Sequence, residues 1–334
     1  MPIAIDHTSA RDLAPQLDDA LEIVCNEFAG LDSHQQYHNA FARVLKPDPL
    51  GRVLMMGTDQ RDLFVPLLRQ AVQAYVPQNG QIFDFGAGDG QTFAYVADAV
   101  PAGTTVSIEE PNPAYLAAYQ AFLDRQPHLR RGIAVGSGID DLEDAADRSA
   151  IDLPAPESVD LALGLHMIYF TSDVPDGLRK ILRFVKPGGA LFNVVTDEST
   201  AYCGSVLRLF TESGGDTGDN DGYAAAINVR RRLLAPESEG GGGVAEVLRE
   251  NGIGVDVESV RQPSRMYGHT LADLLAISNI SVLANVPGTQ KFESAAKALR
   301  DRPEEIDLRI ETDGPRAGMW SVTQPQWVTQ VRRR

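Results

Sequence analysis

Between Ala10 and Tyr75 apolar residues recur three and four positions apart, first in Leu17, Ala20, Leu21 and Val24, then in Leu63, Leu67, Leu68 and Val72. That spacing collects them on one face of a helix and predicts a helical segment, broken where Pro47 and Pro49 turn the chain. From Gln81 the rhythm changes. Short apolar runs now alternate with helical stretches, as in a parallel sheet covered by helices on both faces. Strands are expected at 82–85, 105–109, 132–135, 159–164 and 190–195. Lys186-Pro187 ends the helix before the last of these, and Gly188-Gly189 turns into it.

Beyond Asp197 the pattern weakens. The polar, Gly- and Asp-rich stretch 212–222 reads as a surface loop or an excursion over a site. A helix-strand unit resumes at Gly243, helices are expected over 270–283 and 290–299, and one or two late strands lie within 319–331. The run from Gly240 to Gly243 follows no strand and is not followed by Lys-Ser or Lys-Thr, so it reads as a flexible lead-in to a helix rather than a phosphate cradle. Three consecutive parts are expected: an N-terminal helical cap (1–75), a ligand-binding core (76–200), and a loop and helical insertion that also completes the sheet (201–334).

With 43% hydrophobic and 23% charged residues the chain has the composition of a folded protein, not of a disordered one. The formal charge of −16 would repel a phosphate backbone, which argues against nucleic acid as a partner. Cys25 and Cys203 are too few for a disulfide framework or a zinc cluster, so a reducing compartment and no metal are expected. The segment Met1 to Leu13 carries Asp6, Arg11 and Asp12 and does not read as a secretory leader; no apolar run approaches membrane-helix length. A cytoplasmic location away from membranes is the expectation. Oligomeric state is not legible.

The strongest local signal is Ile82-Phe83-Asp84-Phe85-Gly86-Ala87-Gly88-Asp89-Gly90-Gln91-Thr92, an apolar strand ending in a glycine turn that opens a helix. Such glycines let the backbone approach a ligand at the carboxyl end of a first strand. A dinucleotide fingerprint requires glycine where Gln91 stands, and Asp84 would add negative charge beside a pyrophosphate. The same acid suits a ligand carrying ammonium and sulfonium groups, S-adenosylmethionine, because a buried carboxylate is compensated by a nearby cation.

Val106-Ser107-Ile108-Glu109-Glu110-Pro111-Asn112 sets an acid about 20 residues beyond the turn, where a carboxylate accepts both ribose hydroxyls. Pro111 keeps Glu110 extended, which makes Glu110 the expected ribose acceptor and turns Glu109 to the opposite face. Gly138-Ile139-Asp140-Asp141 offers an apolar side chain beside an acid, suited to adenine. The run from Asp160 to Phe170 places Leu165, His166, Tyr169 and Phe170 just past the carboxyl edge of the fourth strand, where open sheets bind ligands.

In this order the elements resemble the class I S-adenosylmethionine-dependent methyltransferases over about Gln81 to Thr196. Glu110-Pro111-Asn112-Pro113 with Ala117 and Tyr119, and the ungapped run from Asp160 to Pro175, are also similar to histamine N-methyltransferase and its relatives. The resemblance implies an α/β fold, a Rossmann-like doubly wound, mostly parallel seven-stranded sheet with an N-terminal helical cap and C-terminal helical additions. It implies cofactor contacts at Asp84, Gly86, Ala87, Gly88, Glu110, Asn112, Ile139, Asp140 and Leu165: Gly86 and Gly88 at the methionine end, Glu110 at the ribose, Ile139 and Asp140 at adenine, and Leu165 on its other face. Substrate contacts are implied at Tyr37, Phe41, His166, Tyr169, Phe170 and, matched more loosely, Tyr202. His166 stands where that family has glutamine and Phe170 where it has tyrosine. The family's substrate-facing acid has no counterpart at the matching place, Asp48 being nearest.

Methyl transfer needs a nucleophile held about 3 to 3.5 Å from the methyl carbon and aligned with the breaking bond. His166, Tyr37 or His38 can orient that nucleophile or take its proton. The expected substrate is a small, partly apolar or aromatic molecule methylated on nitrogen, oxygen or carbon. The competing expectations are a non-catalytic S-adenosylmethionine-binding module and, disfavoured by Asp84 and Gln91, a nicotinamide oxidoreductase.

Overall fold

The computed structural model describes residues 2–47, 53–55, 57–142, 152–216, 220–280, 283, 286 and 288–334. It divides the chain into two compact units, each built from separated stretches. Met1–Gln60, Thr196–Asn228 and Pro263–Gln326 form one; Arg61–Val195, Val229–Gln262 and Trp327–Arg334 form the other. Along the chain the strands are β1 (Ile3–Ala4), β2 (Leu45–Pro47), β3 (Val53–Met55), β4 (Gln81–Phe85), β5 (Thr105–Glu109), β6 (Arg130–Val135), β7 (Val159–Leu165), β8 (Val185–Thr196), β9 (Val255–Gln262), β10 (Arg265–Gly268), β11 (Arg309–Ile310), β12 (Trp320–Thr323) and β13 (Gln326–Arg333).

The second unit carries a seven-stranded sheet in the order β6-β5-β4-β7-β8-β13-β9. Strand β4 pairs in parallel with β5 and β7, β5 with β6, and β7 with β8. The Arg333 guanidinium, near the end of β13, donates to the Val185 carbonyl at the start of β8 (2.6 Å), so β13 runs against its neighbour. This is the mostly parallel, Rossmann-like α/β sheet expected from the sequence. Its order reverses at β4, and a crevice at that reversal, beyond the carboxyl ends of β4 and β7, is where sheets of this kind bind ligands.

Side-chain alternation sorts the strands onto two buried faces. Phe83, Phe85, Ala162, Leu191 and Val195 share one cluster; Ile82, Leu161, Leu163, Phe192 and Val194 share the other. Burial of both faces is why these strands read in sequence as continuous apolar runs. Two of the covering helices start on identifiable caps. Asn112 accepts from the Ala114 amide (3.0 Å) at the head of the helix Pro113–Asp124. Asp173 accepts from the Asp176 amide (2.9 Å) at the head of Val174–Phe184, and each helix has proline in its first turn. Helix Gln60–Tyr75, read in sequence as part of the N-terminal cap, places Phe64, Leu68 and Val72 in the same cluster as Ile82 and Phe192.

The first unit gathers the helices Ala14–Phe28, Ser33–Val44, Ala201–Glu212, Leu271–Ile277 and Gln290–Asp301, with Phe28, Tyr202, Leu274 and Phe292 in its core. Phe28 and Phe292 meet edge to face at 5.1 Å. It also holds an antiparallel sheet in the order β1-β11-β12-β10 and the hairpin β2-β3. Only β12, which falls within 319–331, was expected. The other strands, of two to four residues, are too short for a period of two to register in sequence.

Candidate functional site

The glycine turn after β4 separates packing from exposure. Gly86, Gly88 and Gly90 all have left-handed backbone, with φ of +57°, +56° and +81°. A Cβ at Gly86 would lie 2.4 Å from the Met167 Cβ, and one at Gly90 would lie 2.5 Å from the Tyr119 ring, so both positions are closed by packing. A Cβ at Gly88 would meet nothing within 4 Å. Gly88 is thus the point at which the turn is open. Gln91 folds back onto Asp89, its amide nitrogen 2.9 Å from Oδ2.

Three carboxylates converge on this turn. Asp84 is buried and accepts from the Tyr119 hydroxyl at 3.0 Å; burial pushes its carboxyl up to about 7, with the Glu110 charge adding to the rise. Glu109 accepts from the Gly86 amide at 2.8 Å. Its burial raises it to about 8, against the pull of that hydrogen bond and reinforced by Glu110 and Asp84. Glu110 accepts from the Gly88 amide and from the Asn112 amide, both at 2.8 Å. The expectation that Glu109 points away is therefore corrected. Alternation holds only within a strand, and β5 ends at Glu109, so Glu110 is released from it and both acids reach the turn. Asn112, expected among the cofactor contacts, has its side-chain oxygen engaged as the helix cap.

Beyond β6, Ile139 is buried in a short turn, and the exposed Asp140 carboxylate accepts from the Ser172 amide at 2.9 Å. Lys180 donates to the Asp140 carbonyl at 2.8 Å, which ties this turn to the segment following β7. Leu165 is half-buried at the end of β7.

His166 follows immediately in left-handed backbone (φ +57°), its amide held by the Val194 carbonyl at 2.9 Å. A non-glycine residue in that region is strained, and such strain concentrates at functional sites. Its Nδ1 lies 3.2 Å from the Tyr169 hydroxyl, the two rings are nearly parallel (10°), and Phe64 lies 5.8 Å away. Its Nε2 is enclosed and has no hydrogen-bond partner, and burial lowers the imidazole to about 4. Arg230 stands over the Tyr169 ring at 5.5 Å, while Phe170 is 69% exposed.

The remaining aromatic positions belong to the first unit. Tyr37 and Phe41 stack at 5.9 Å on the helix Ser33–Val44, with His38 edge-on to Tyr37. Tyr202 is fully buried and donates to the Leu274 carbonyl at 2.7 Å. Its expected substrate role is corrected to a core role, because both its ring and its hydroxyl are already engaged. Asp48 lies outside the described residues. Sequence reasoning missed Glu109, the Tyr119 hydroxyl, Phe64 and Arg230, whose placement depends on contacts far apart in the chain. Among the described residues no group of three or more His, Cys, Asp or Glu is placed to hold a metal ion, and no helix is long and apolar enough to cross a membrane.

Residues 83–193 match a family model described as a methyltransferase domain. No curated protein matches the chain. Among solved structures, the YcgJ protein of Bacillus subtilis is 11% identical, with 82% of this chain and 99% of that one covered at a TM-score of 0.43. Geranyl diphosphate methyltransferase in complex with S-adenosylmethionine is 14% identical, with 81% and 84% covered at a TM-score of 0.40.

Proposed function

We propose that this protein is a methyltransferase that uses S-adenosylmethionine and methylates a nitrogen, oxygen or carbon of a small, partly apolar or aromatic molecule. The observation that carries this reading is the glycine turn itself, open at Gly88 and ringed by Asp84, Glu109 and Glu110, within the segment that matches a methyltransferase domain. These carboxylates are held by backbone amides and a phenol. A ligand bearing ammonium and sulfonium charge offsets their mutual repulsion, whereas a pyrophosphate would aggravate it.

Gly86, Ala87 and Gly88 would hold the methionine end, Glu110 the ribose hydroxyls, and Ile139, Asp140 and Leu165 the adenine. The cofactor supplies an electrophilic methyl group. What remains for the protein is to orient the acceptor and keep water out. His166 is suited to orienting it, because an imidazole lowered to about 4 is neutral at physiological pH and its Nε2 is free to bond an acceptor's N–H or O–H. Tyr169, at Nδ1, fixes the ring, and Phe170 adds an exposed aromatic surface beside it. A chain with only two cysteines, Cys25 and Cys203, suits a cytoplasmic setting, and the charge of −16 suits a small substrate rather than nucleic acid.

Incubation with methyl-labelled S-adenosylmethionine and a panel of small amines, phenols and keto acids tests this directly. Label is expected in one class, with His166→Ala lowering kcat while cofactor affinity and melting temperature stay near wild type. Full kcat for His166→Ala across the pH range would remove His166 from the reaction. Unlabelled products throughout, with S-adenosylhomocysteine still bound, would favour a non-catalytic binding module.

A further inference from the structure

Asn193 and Trp327 are buried polar side chains of the sheet unit that methyl transfer as derived above does not use. Asn193, in β8, is fully buried, and neither its amide nitrogen nor its amide oxygen has a hydrogen-bond partner. Trp327, in the adjacent β13, is buried too, and its indole N–H is equally unpartnered. Buried polar groups are nearly always bonded, and an orphan amide in an otherwise apolar strand is a cost that a leucine would remove. A group retained at such cost is accounted for when a ligand completes its bonds.

Position supports that account. Asn193 pairs in register with Gly164 of β7, and a Cβ at Gly164 would lie 3.0 Å from Asn193 Oδ1 and 3.6 Å from Met167 Sδ. Met167 is the same residue whose Cβ closes the space above Gly86. One flexible, unbranched side chain therefore separates the glycine turn from the Asn193 amide. Leu191, Val195 and Trp327 share one face of the sheet, and alternation along β8 sets Asn193 on that face.

The geometry points to Asn193 and Trp327 as the recognition pair for the methyl acceptor, reading a cis-amide edge such as a lactam or carboxamide. Asn193 Nδ2 and the indole N–H donate to the acceptor's carbonyl oxygen, and Asn193 Oδ1 accepts from its N–H. A carboxylate fits less well, because Oδ1 would face an anionic oxygen. A hydrocarbon leaves all three atoms unsatisfied. This inference rests on the methyl-transfer reading and adds a substrate class to it.

The test titrates protein saturated with S-adenosylhomocysteine against 2-pyridone, which has both halves of the edge, and N-methyl-2-pyridone, which lacks the N–H. 2-Pyridone is expected to bind about tenfold or more tightly, since sites built to hydrogen-bond a group reject analogues without it. Asn193→Leu should erase the preference, leave S-adenosylhomocysteine affinity unchanged and raise the melting temperature by removing the orphan amide. Asn193→Asp, which keeps the shape and loses the donor, should also lose the preference and serves if the leucine variant does not fold. Equal affinity of the two pyridones, binding of neither, or a lowered melting temperature in Asn193→Leu would overturn the proposal alone. Failure of wild-type protein to bind S-adenosylhomocysteine would overturn it together with the methyl-transfer reading.

Discussion

Asp84, Glu109 and Glu110 carry unequal burdens at the glycine turn, and their differences are measurable. Glu110→Ala should weaken cofactor binding by about 1–3 kcal/mol through lost charge-assisted hydrogen bonds. Glu109→Gln keeps a partner for the Gly86 amide and should cost less. Isothermal titration calorimetry of both variants checks the ranking, and the reverse order would exchange their roles. The approach of Glu110 to the turn was legible because the spacing from the turn and Pro111 both point to it. Glu109 was not, because its orientation depends on where the strand stops, which a period of two does not reveal. Tyr202 was misread for a related reason: an aromatic after a strand looks the same in sequence whether it faces a ligand or, as here, the Leu274 carbonyl.

Among the elements, the turn from β4 into its helix makes a sharp distinction between two glycines with nearly equal φ. Gly88→Val faces open space, so the fold should survive with only the cost of a branched residue in left-handed backbone, while cofactor binding is lost. Gly86→Val drives a side chain into Met167 and should cost about 1–3 kcal/mol or more of stability from overpacking alone. Thermal melts paired with binding assays separate the two; retained affinity in folded Gly88→Val would remove Gly88 from the site. The parallel strands of the sheet unit were readable because each contains a short apolar run next to a glycine or proline signal. Strands β10 and β11 were not, since Arg265 and Arg309 sit inside segments of only four and two residues. Asn193 stood in plain view within an apolar strand, but that its amide lacks partners depends on the side chains that folding packs around it.

For the molecule as a whole, an excess of acid over base is concentrated into work at one point. Burial and mutual repulsion raise Asp84 to about 7 and Glu109 to about 8, above their ordinary values near 4. At these two groups the fold therefore holds more protons than the unfolded chain between about pH 4 and 8, so they favour the fold less as pH rises through that window. A cationic ligand favours their ionised forms, so its binding should expel protons and tighten as pH rises from 6 to 8. Calorimetric titration with S-adenosylmethionine at pH 6, 7 and 8, in buffers of different ionisation enthalpy, measures both effects at once. The account predicts saturable binding that strengthens with pH and releases protons to the buffer, with NAD giving no heat. Saturable binding of NAD with none of S-adenosylmethionine would contradict it.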